Sequence, residues 1–383
     1  MPQDRYSDLI DARFHDLLLS YDFARQHNSL NIPNLADVFS QETNEETRLL
    51  LDIEQEAKEQ RDAEVIAKES LKQAKSEKLN KKVVELVSEQ LDDIETIYND
   101  VIAIHDAVPA ILDILSVRAA SIGRIEPLIS TLPWMGADML KFVNLPVYRK
   151  PESDIKVDKV KTALSYIGIE NLKLVVPSFA LRKWIPHSTE PFRLMKRKLW
   201  ESGIGAAISC RKLAQLNEQD TTSAFCAGMF HDLGKSALVR IYLRSFDNEW
   251  KRQLLEARES RDKTEHDALV ELEPDPATLR NIMLEHSAKL SAKLVDRFNL
   301  KRLRFVDALE QFSSGTPFKD YDPLTRTLAQ GVSYSRYKML QKHSLIAKHE
   351  AKIYFKENLL TSTEISELNK LSLLRLNLRI EQH

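Results

Sequence analysis

The sequence has few of the residues that stop helices, cross-link chains or cross membranes. Its 383 residues include only two cysteines, Cys210 and Cys226, so neither a disulfide framework nor a cysteine zinc site is expected. The first glycine is Gly123, and no proline lies between Pro33 and Pro109. No apolar run approaches the roughly 18 residues of a spanning helix, and the N-terminus lacks the pattern of a secretory signal. We therefore expect a cytoplasmic protein with reduced thiols.

An excess of charge of one sign is also missing. The chain has 55 Lys and Arg against 57 Asp and Glu, which gives a formal net charge of −2 and a pI near 6.6. This balance provides no general attraction for nucleic acid or for an anionic membrane, so we expect neither as a partner. An anionic ligand would need a local basic patch.

Apolar residues recur at three- and four-residue steps along most of the chain, which is typical of amphipathic helices. No segment alternates with a period of two, and no Asn-Gly or Asp-Gly hairpin signal occurs. The pattern predicts an all-α helical bundle with a long N-terminal helix and a helical C-terminal extension. We expect Pro177 to kink or shorten its helix. The helices predicted after residue 100 are 107–119, 122–132, 135–143, 157–167, 171–184, 195–216, 221–231, 276–298, 302–312, 322–345 and 363–379.

The absence of glycine and proline between Pro33 and Pro109 predicts a long helix in the N-terminal part. From about Glu54 to Lys82, charges of both signs surround mostly alanine positions. At about 1.5 Å per residue, a helix unbroken through this whole glycine- and proline-free part would be roughly 90 Å long, and a break near Asn80 would halve that length. A solvated helix packed on one side and a two-stranded coiled coil both fit, and we expect residues 44–100 to supply homodimer or partner contacts. The leucine-poor heptad seam runs through Leu50, Ile53, Ala57, Ala67, Leu71 and Ala74.

The sharpest local motif is the segment FCAGMFHDLGK at 225–235. A helix rich in small residues ends in His231 and Asp232, and we expect Gly234 to act as the C-cap of that helix. A neighbouring imidazole and carboxylate can share a divalent ion that activates water for phosphoester hydrolysis. Alone, such a pair is also typical of a hydrogen bond at the end of a helix.

Four other segments, in the same order along the chain, make this motif more specific. They are LKFVNLPVY at 140–148, KTALSYIG at 161–168, LWES at 199–202 and LEHSAKLSAKL at 284–294. With the His-Asp segment they resemble the HDOD family over residues 101–312, which leaves 1–100 and 313–383 as N- and C-terminal helical extensions. The resemblance implies an all-helical domain related to the HD metal-dependent phosphohydrolases and used mostly in bacterial signalling.

Carried over residue by residue, the resemblance implies an incomplete metal site. His231 and Asp232 match the central metal pair, and His286 matches a further histidine. Glu201 stands where the first metal-binding histidine is expected, and it could serve as an oxygen donor to Mn²⁺, Fe²⁺ or Mg²⁺. A histidine pair expected near 310–311 and an aspartate expected at 330–335 are missing.

A basic cluster interleaved with aromatic residues precedes the His-Asp helix. One interpretation is an anion site for a nucleotide or a phosphorylated partner. The other is a solvated helix face whose aromatic residues belong to the core. The anion-binding candidates are Arg182, Lys183, Lys196, Arg197 and Lys198, with Arg193 beside them.

Three functions follow from these features. The sequence predicts a signalling or scaffold protein that has lost catalysis and acts through a protein partner or a small ligand. The first alternative is a metal-dependent phosphohydrolase that acts on a nucleotide or cyclic nucleotide through His231, Asp232, His286 and Glu201. The second alternative is a module that senses an anionic ligand at the basic cluster without turnover.

Overall fold

The structure, a computed structural model, describes residues 6–26, 52–146, 156–376 and 378. Within these ranges all regular secondary structure is helical and no strand occurs, which confirms the all-α prediction. No helix in the described ranges is long and apolar enough to cross a membrane. The helices are α1 (Tyr6–Leu19), α2 (Tyr21–Gln26), α3 (Asp52–Leu91), α4 (Ala107–Leu115), α5 (Ile122–Ser130), α6 (Pro133–Val143), α7 (Val160–Ile167), α8 (Ile169–Trp184), α9 (Met195–Leu216), α10 (Thr221–Phe230), α11 (Leu233–Glu259), α12 (Lys263–Val270), α13 (Pro276–Asp296), α14 (Val306–Ser313), α15 (Pro323–Lys342), α16 (Lys348–Glu357) and α17 (Ser362–Asn369).

The core is built around α9, which packs on α10 and on α15. Missing Cβ atoms bring these helices close together: a Cβ on Gly228 would lie 2.7 Å from Ala207 Cα, and one on Gly331 would lie 2.4 Å from Cys210 Sγ. Cys210 and Cys226 are free and buried, and burial raises the pKa of both thiols. They are therefore unreactive core residues.

The helix that follows the His-Asp motif was not predicted. α11 begins at Leu233, directly after the His231–Asp232 pair, and Gly234 lies inside it. The prediction that Gly234 ends a helix is therefore wrong. The physical reason is contact with α13: a Cβ on Gly234 would lie 2.3 Å from the Ser287 carbonyl oxygen and 2.8 Å from the Ser291 nitrogen. The Gly234 amide also donates to Ser291 Oγ at 2.8 Å. Gly234 is thus the point where α11 crosses α13.

Two other predictions about helix ends need correction. Pro177 lies inside α8, which continues past it to Trp184, so the proline does not shorten the helix, and the kink expected as the other outcome stays a prediction. The predicted C-terminal helix at 363–379 extends only over Ser362–Asn369. Beyond it, Leu371 and Leu373 pack on the core without helical structure and line a cavity beside α9 and α15. Residue 379 lies outside the described residues.

α3 is a single helix of 40 residues, about 60 Å long at 1.5 Å per residue. It is unbroken at Asn80, and its second half packs on α11 and α12 through Leu79, Val83 and Val87. Residues 60–70 are exposed on every face. Packing on one side, which was one of the two arrangements that fit the sequence, is therefore seen only beyond this segment. Residues 44–51 of the predicted interface, including Leu50, lie outside the described residues.

α1 is a buried helix that the sequence analysis did not predict. Ile10, Phe14, Leu17 and Leu18 are fully buried, and α1 packs against α9, α13, α15 and α16. The N-terminal helix therefore contacts both the central and the C-terminal helices. The proposed domain boundaries at residues 100 and 312 stay a prediction.

The crossing of α11 and α13 yields a matched pair of variants. We expect Gly234→Ala to destabilise the protein by about 1–3 kcal/mol, because the added methyl group meets backbone atoms of α13 that cannot rotate away. Gly123→Ala, in α5, has nothing within 4 Å of the added Cβ and should be neutral or stabilising by up to about 1 kcal/mol. Urea unfolding followed by circular dichroism measures both. Equal stability of the two variants would contradict the close crossing.

Candidate functional site

His231 and Asp232 lie at the junction of two core helices. α10 ends at Phe230 and α11 begins at Leu233, so the pair forms the turn between them. Small residues let α10 pack closely on α9 and bring this turn into the interior. His231 exposes 2% of its surface and Asp232 exposes 6%.

The ring of His231 is oriented by the last turn of α10. Its Nδ1 lies 2.7 Å from the carbonyl oxygen of Gly228. A carbonyl oxygen can only accept, so Nδ1 carries the hydrogen and donates it. Nε2 then points toward Asp232, 3.3 Å from Oδ2, but makes no hydrogen bond.

The carboxylate of Asp232 is held by side chains from three helices. Ser202 Oγ on α9 donates to Oδ2 at 2.9 Å, and the ammonium of Lys235 on α11 pairs with Oδ1. Burial alone would raise the pKa of Asp232, but its neighbours His231, Lys235 and Arg336 (on α15) outweigh this effect and hold the pKa well below its usual range. Burial lowers the pKa of Lys235 to about 8, against the opposing effect of Asp232.

α1 packs against the cations of this site. The ring centroid of Phe14 lies 5.4 Å from Lys235 Nζ and 5.1 Å from Arg336 Cζ, which are cation–π distances. Asp11 Oδ1 pairs with Arg336 Nη1 at 2.7 Å. The site is thus enclosed by α1, and Lys235 exposes only 1% of its surface.

The two other predicted metal ligands are engaged elsewhere. Glu201 Oε1 lies 3.8 Å from Arg197 Nε and 3.5 Å from Lys342 Nζ. His286 is partly exposed, and its Nε2 lies 3.7 Å from Glu285 Oε2. Within the described part of the chain, no three His, Cys, Asp or Glu side chains are grouped so that they could hold a metal ion.

A comparison with known protein families identifies the family of the chain that contains this turn. The HDOD domain matches residues 102–299, just over half of the chain, from α4 to the end of α13. The chain belongs to the HDOD family. This confirms the resemblance that the five sequence segments indicated, and it makes the chain an HD-type signal-transduction protein.

Two crystal structures of proteins from Shewanella amazonensis SB2B are similar to this HDOD protein. One, provisionally named a phosphohydrolase, is 17% identical with a TM-score of 0.40 and covers 73% of this chain and 97% of its own. The other, provisionally named a metal-dependent phosphohydrolase, is 12% identical with a TM-score of 0.43 and covers 76% and 97%. No curated protein matches the chain in sequence.

The HDOD site has part of what a metal ion requires. His231 Nε2 has no hydrogen-bond partner, and its 3.3 Å distance from Asp232 Oδ2 would let both atoms bind one ion. However, both oxygens of Asp232 already accept hydrogen bonds, and Lys235 and Arg336 supply positive charge. A divalent ion would add two positive charges to a buried site that is already neutralised. As arranged, these residues do not fit a catalytic metal, and the metal that the resemblance implies stays a prediction.

The predicted anion-binding residues divide into two groups in the structure. Arg182, Lys196 and Arg197 line one groove. Lys183 does not line this groove, and its Nζ lies 5.9 Å from the ring centroid of Trp134. Lys198 is fully buried, its ammonium donates to the Leu17 carbonyl oxygen in α1, and burial lowers its pKa to about 8. Lys198 therefore holds α1 in place and does not belong to an exposed anion site, because neighbouring residues on a helix point about 100° apart.

The side chains that bind the carboxylate of Asp232 were not predicted from the sequence. Lys235 and Ser202 both stand inside segments that carry the family resemblance, but they were not given roles. Arg336 directly follows the 330–335 stretch in which an aspartate was expected. α1 contains no motif, and only the spacing of Ile10, Phe14 and Leu17 could have indicated a buried helix.

Removal of the buried carboxylate should be costly. We expect Asp232→Asn to destabilise the protein by about 3–5 kcal/mol, because Lys235 is left buried without its counter-ion. Asp138→Asn, which breaks the exposed pair with Arg182, should cost under about 1 kcal/mol. The double variant Asp232→Asn/Lys235→Met should recover part of the loss. Urea unfolding measures this cycle, and a small effect of Asp232→Asn would mean that the pair does not stabilise the core.

Proposed function

We propose that this HDOD protein transmits signals by binding a partner, and that its His-Asp pair has become a structural part of the core. One observation carries the proposal: the charge of Asp232 is balanced by Lys235 and Arg336 from within the protein. Catalysis by an HD-type site requires that carboxylate to bind an ion that keeps a position open for water. Here the ammonium and the Ser202 hydroxyl already occupy its oxygens.

The packing of α1 supports the same proposal. Phe14 is fully buried, and its ring lies against Lys235 and Arg336, the two cations beside Asp232. Displacement of α1 would break its ion pairs, among them the bidentate pair of Arg13 with Glu350, and expose a row of buried apolar side chains. An enclosed site of this kind favours a structural role.

The outer part of α3 is the surface that we propose for a protein partner, with a second copy of this chain as the first candidate. Residues 60–70 are helical and exposed, with Lys68 paired to Glu271 at the protein surface, and a helical segment with so little packing is marginal in water. Val65 and Ile66 expose 66% and 65% of their surfaces, more than any other large apolar residue in the described ranges. Both features are typical of a helix that is completed by a partner.

Charge favours an antiparallel pair of α3 helices. Residues 52–64 carry six carboxylates and two cations, whereas residues 65–82 carry six cations and two carboxylates. In a parallel pair, like ends would face each other, whereas in an antiparallel pair each acidic end would lie beside a basic end. The side of α3 that faces away from α11 and α12 presents Gln73, Ala74 and Lys78 to solvent, which leaves room for a second helix.

The alternative function is a metal-dependent phosphohydrolase that acts on a nucleotide or cyclic nucleotide. The observation that favours it is the unpartnered Nε2 of His231 beside Asp232. For this function Glu201 would have to leave its ion pair with Lys342, and the partly exposed His286 would have to join the site. Metal content distinguishes the two functions directly.

For the metal test, untagged protein is purified without chelator and incubated with Mn²⁺, Fe²⁺ and Mg²⁺. We expect less than about 0.1 equivalent of bound metal per chain, because Asp232 is already neutralised. We also expect no metal-dependent hydrolysis of nucleotides or cyclic nucleotides. His286→Ala serves as the control, since its partly exposed side chain can be removed without disturbing the core. One or two equivalents of metal in the parent and a loss in His286→Ala would establish the phosphohydrolase instead.

For the partner test, the oligomeric state is measured by light scattering after size exclusion across a range of concentrations. We expect a dimer that becomes a monomer when Val65 and Ile66 are both replaced by Glu, because two charges then enter the helix pair. Leu255→Glu, an equally simple change at an exposed leucine on α11, should leave the mass unchanged. A monomeric parent protein at every concentration would rule out the homodimer and leave a different protein as the occupant.

A further inference from the structure

We propose that a groove between the end of α8 and the start of α9 binds a phosphorylated ligand with a planar ring, of the nucleotide class. The groove encloses about 330 Å³, at the small end of the range for small-molecule sites. Its lining residues are Arg182, Ile185, Arg193, Lys196, Arg197 and Trp200. The inference rests on the proposed function in one respect: the ligand is bound and not hydrolysed.

The cations of the groove are loosely paired. Arg193 Nε lies 3.5 Å from Glu190 Oε2 and Arg197 Nε lies 3.8 Å from Glu201 Oε1, both longer than a normal hydrogen bond. Both arginines are largely exposed, so these ion pairs contribute little. Among the described residues, the hydrogen bond of Lys196 Nζ is a long one of 3.5 Å to the backbone carbonyl oxygen of His187. Three of the four cations therefore have strong hydrogen-bonding capacity left for a phosphate.

The surroundings of the groove are positive although the whole chain is slightly negative. Lys183 and Arg240 lie close by, and Arg240 donates to the carbonyl oxygens of Val101 and Trp184. The effect is seen at His187: burial lowers its pKa, and Lys196, Lys183 and Arg240 lower it further. Such a local field attracts a multiply charged anion from solution and weakens as the salt concentration rises.

An aromatic wall makes the groove suitable for more than inorganic phosphate. Trp200 follows Lys196 and Arg197 by four and three residues on α9, so all three side chains lie on one side of the helix. The indole is partly exposed and packed on the core, which holds it in position. A planar ring can stack on an indole face or on a guanidinium while the phosphate meets the cations. A nucleotide combines these two features.

The proposal is tested by isothermal titration with nucleoside monophosphates and triphosphates, the corresponding nucleosides and inorganic phosphate. We expect one nucleotide class to bind at one site per chain, and Arg197→Glu and Lys196→Glu each to weaken it by roughly tenfold or more. Lys183→Glu is the control for the local field alone, because it makes the same charge change beside the groove without replacing a side chain that lines it. It should weaken binding by no more than about threefold.

A second readout uses the indole. Nucleotide binding should quench tryptophan fluorescence in the parent, and Trp200→Phe should remove most of that quenching while the other three tryptophans remain. No binding of any nucleotide, or equal effects of Lys183→Glu and Arg197→Glu, would overturn the proposal. Binding of inorganic phosphate as tight as that of a nucleotide would overturn its aromatic part. Recovery of hydrolysed nucleotide would instead contradict the proposed non-catalytic function and leave the site in place.

Discussion

A carboxylate that is taken out of water has to be neutralised where it lies, and the fold of this protein depends on the ion pair by which Lys235 neutralises Asp232. Either charge alone would cost several kcal/mol in the interior. The pair fixes the turn between α10 and α11, the Ser202 hydroxyl attaches it to α9, and Arg336 brings the charge of α15 to the same place. The ring of Phe14 then lies over both cations and attaches α1. Helices from the N-terminal, central and C-terminal parts of the chain thus meet at one buried charge.

The proposed non-catalytic function rests on the same requirement. A hydrolytic metal centre uses its carboxylates to bind an ion that keeps an open position for water. In this chain an ammonium meets the carboxylate, and an ammonium has no open position to offer. Lys235, which stabilises the fold, and a metal ion bound by His231 and Asp232 would therefore compete for the charge of the same carboxylate. The family motif is retained in sequence, and its electrostatic role is internal.

The sequence predicts the helices of the HDOD region well and the site only in part. Periodicity places α9 at Met195–Leu216 correctly because its apolar face alternates clearly with its polar face. It misses α11, because the Gly234 that looks like a helix stop is required by contact with Ser287 and Ser291, which are more than fifty residues away. It includes Lys198 in a surface cluster because a run of charges gives no sign of which residue faces inward. Long-range contacts of this kind follow from packing and cannot be read from local spacing.

α9 connects the enclosed site and the open groove. Within two turns it directs Lys196, Arg197 and Trp200 outward to the groove, Lys198 inward to α1, and Ser202 inward to Asp232. Glu201 lies between them and pairs with Arg197 on one side and Lys342 of α15 on the other. An anion bound by Arg197 as proposed would lie beside Glu201, whose other ion pair is with Lys342 of α15. The buried pair and the exposed groove are therefore parts of one helix-packing arrangement, which suits a protein that responds to a ligand and does not consume it.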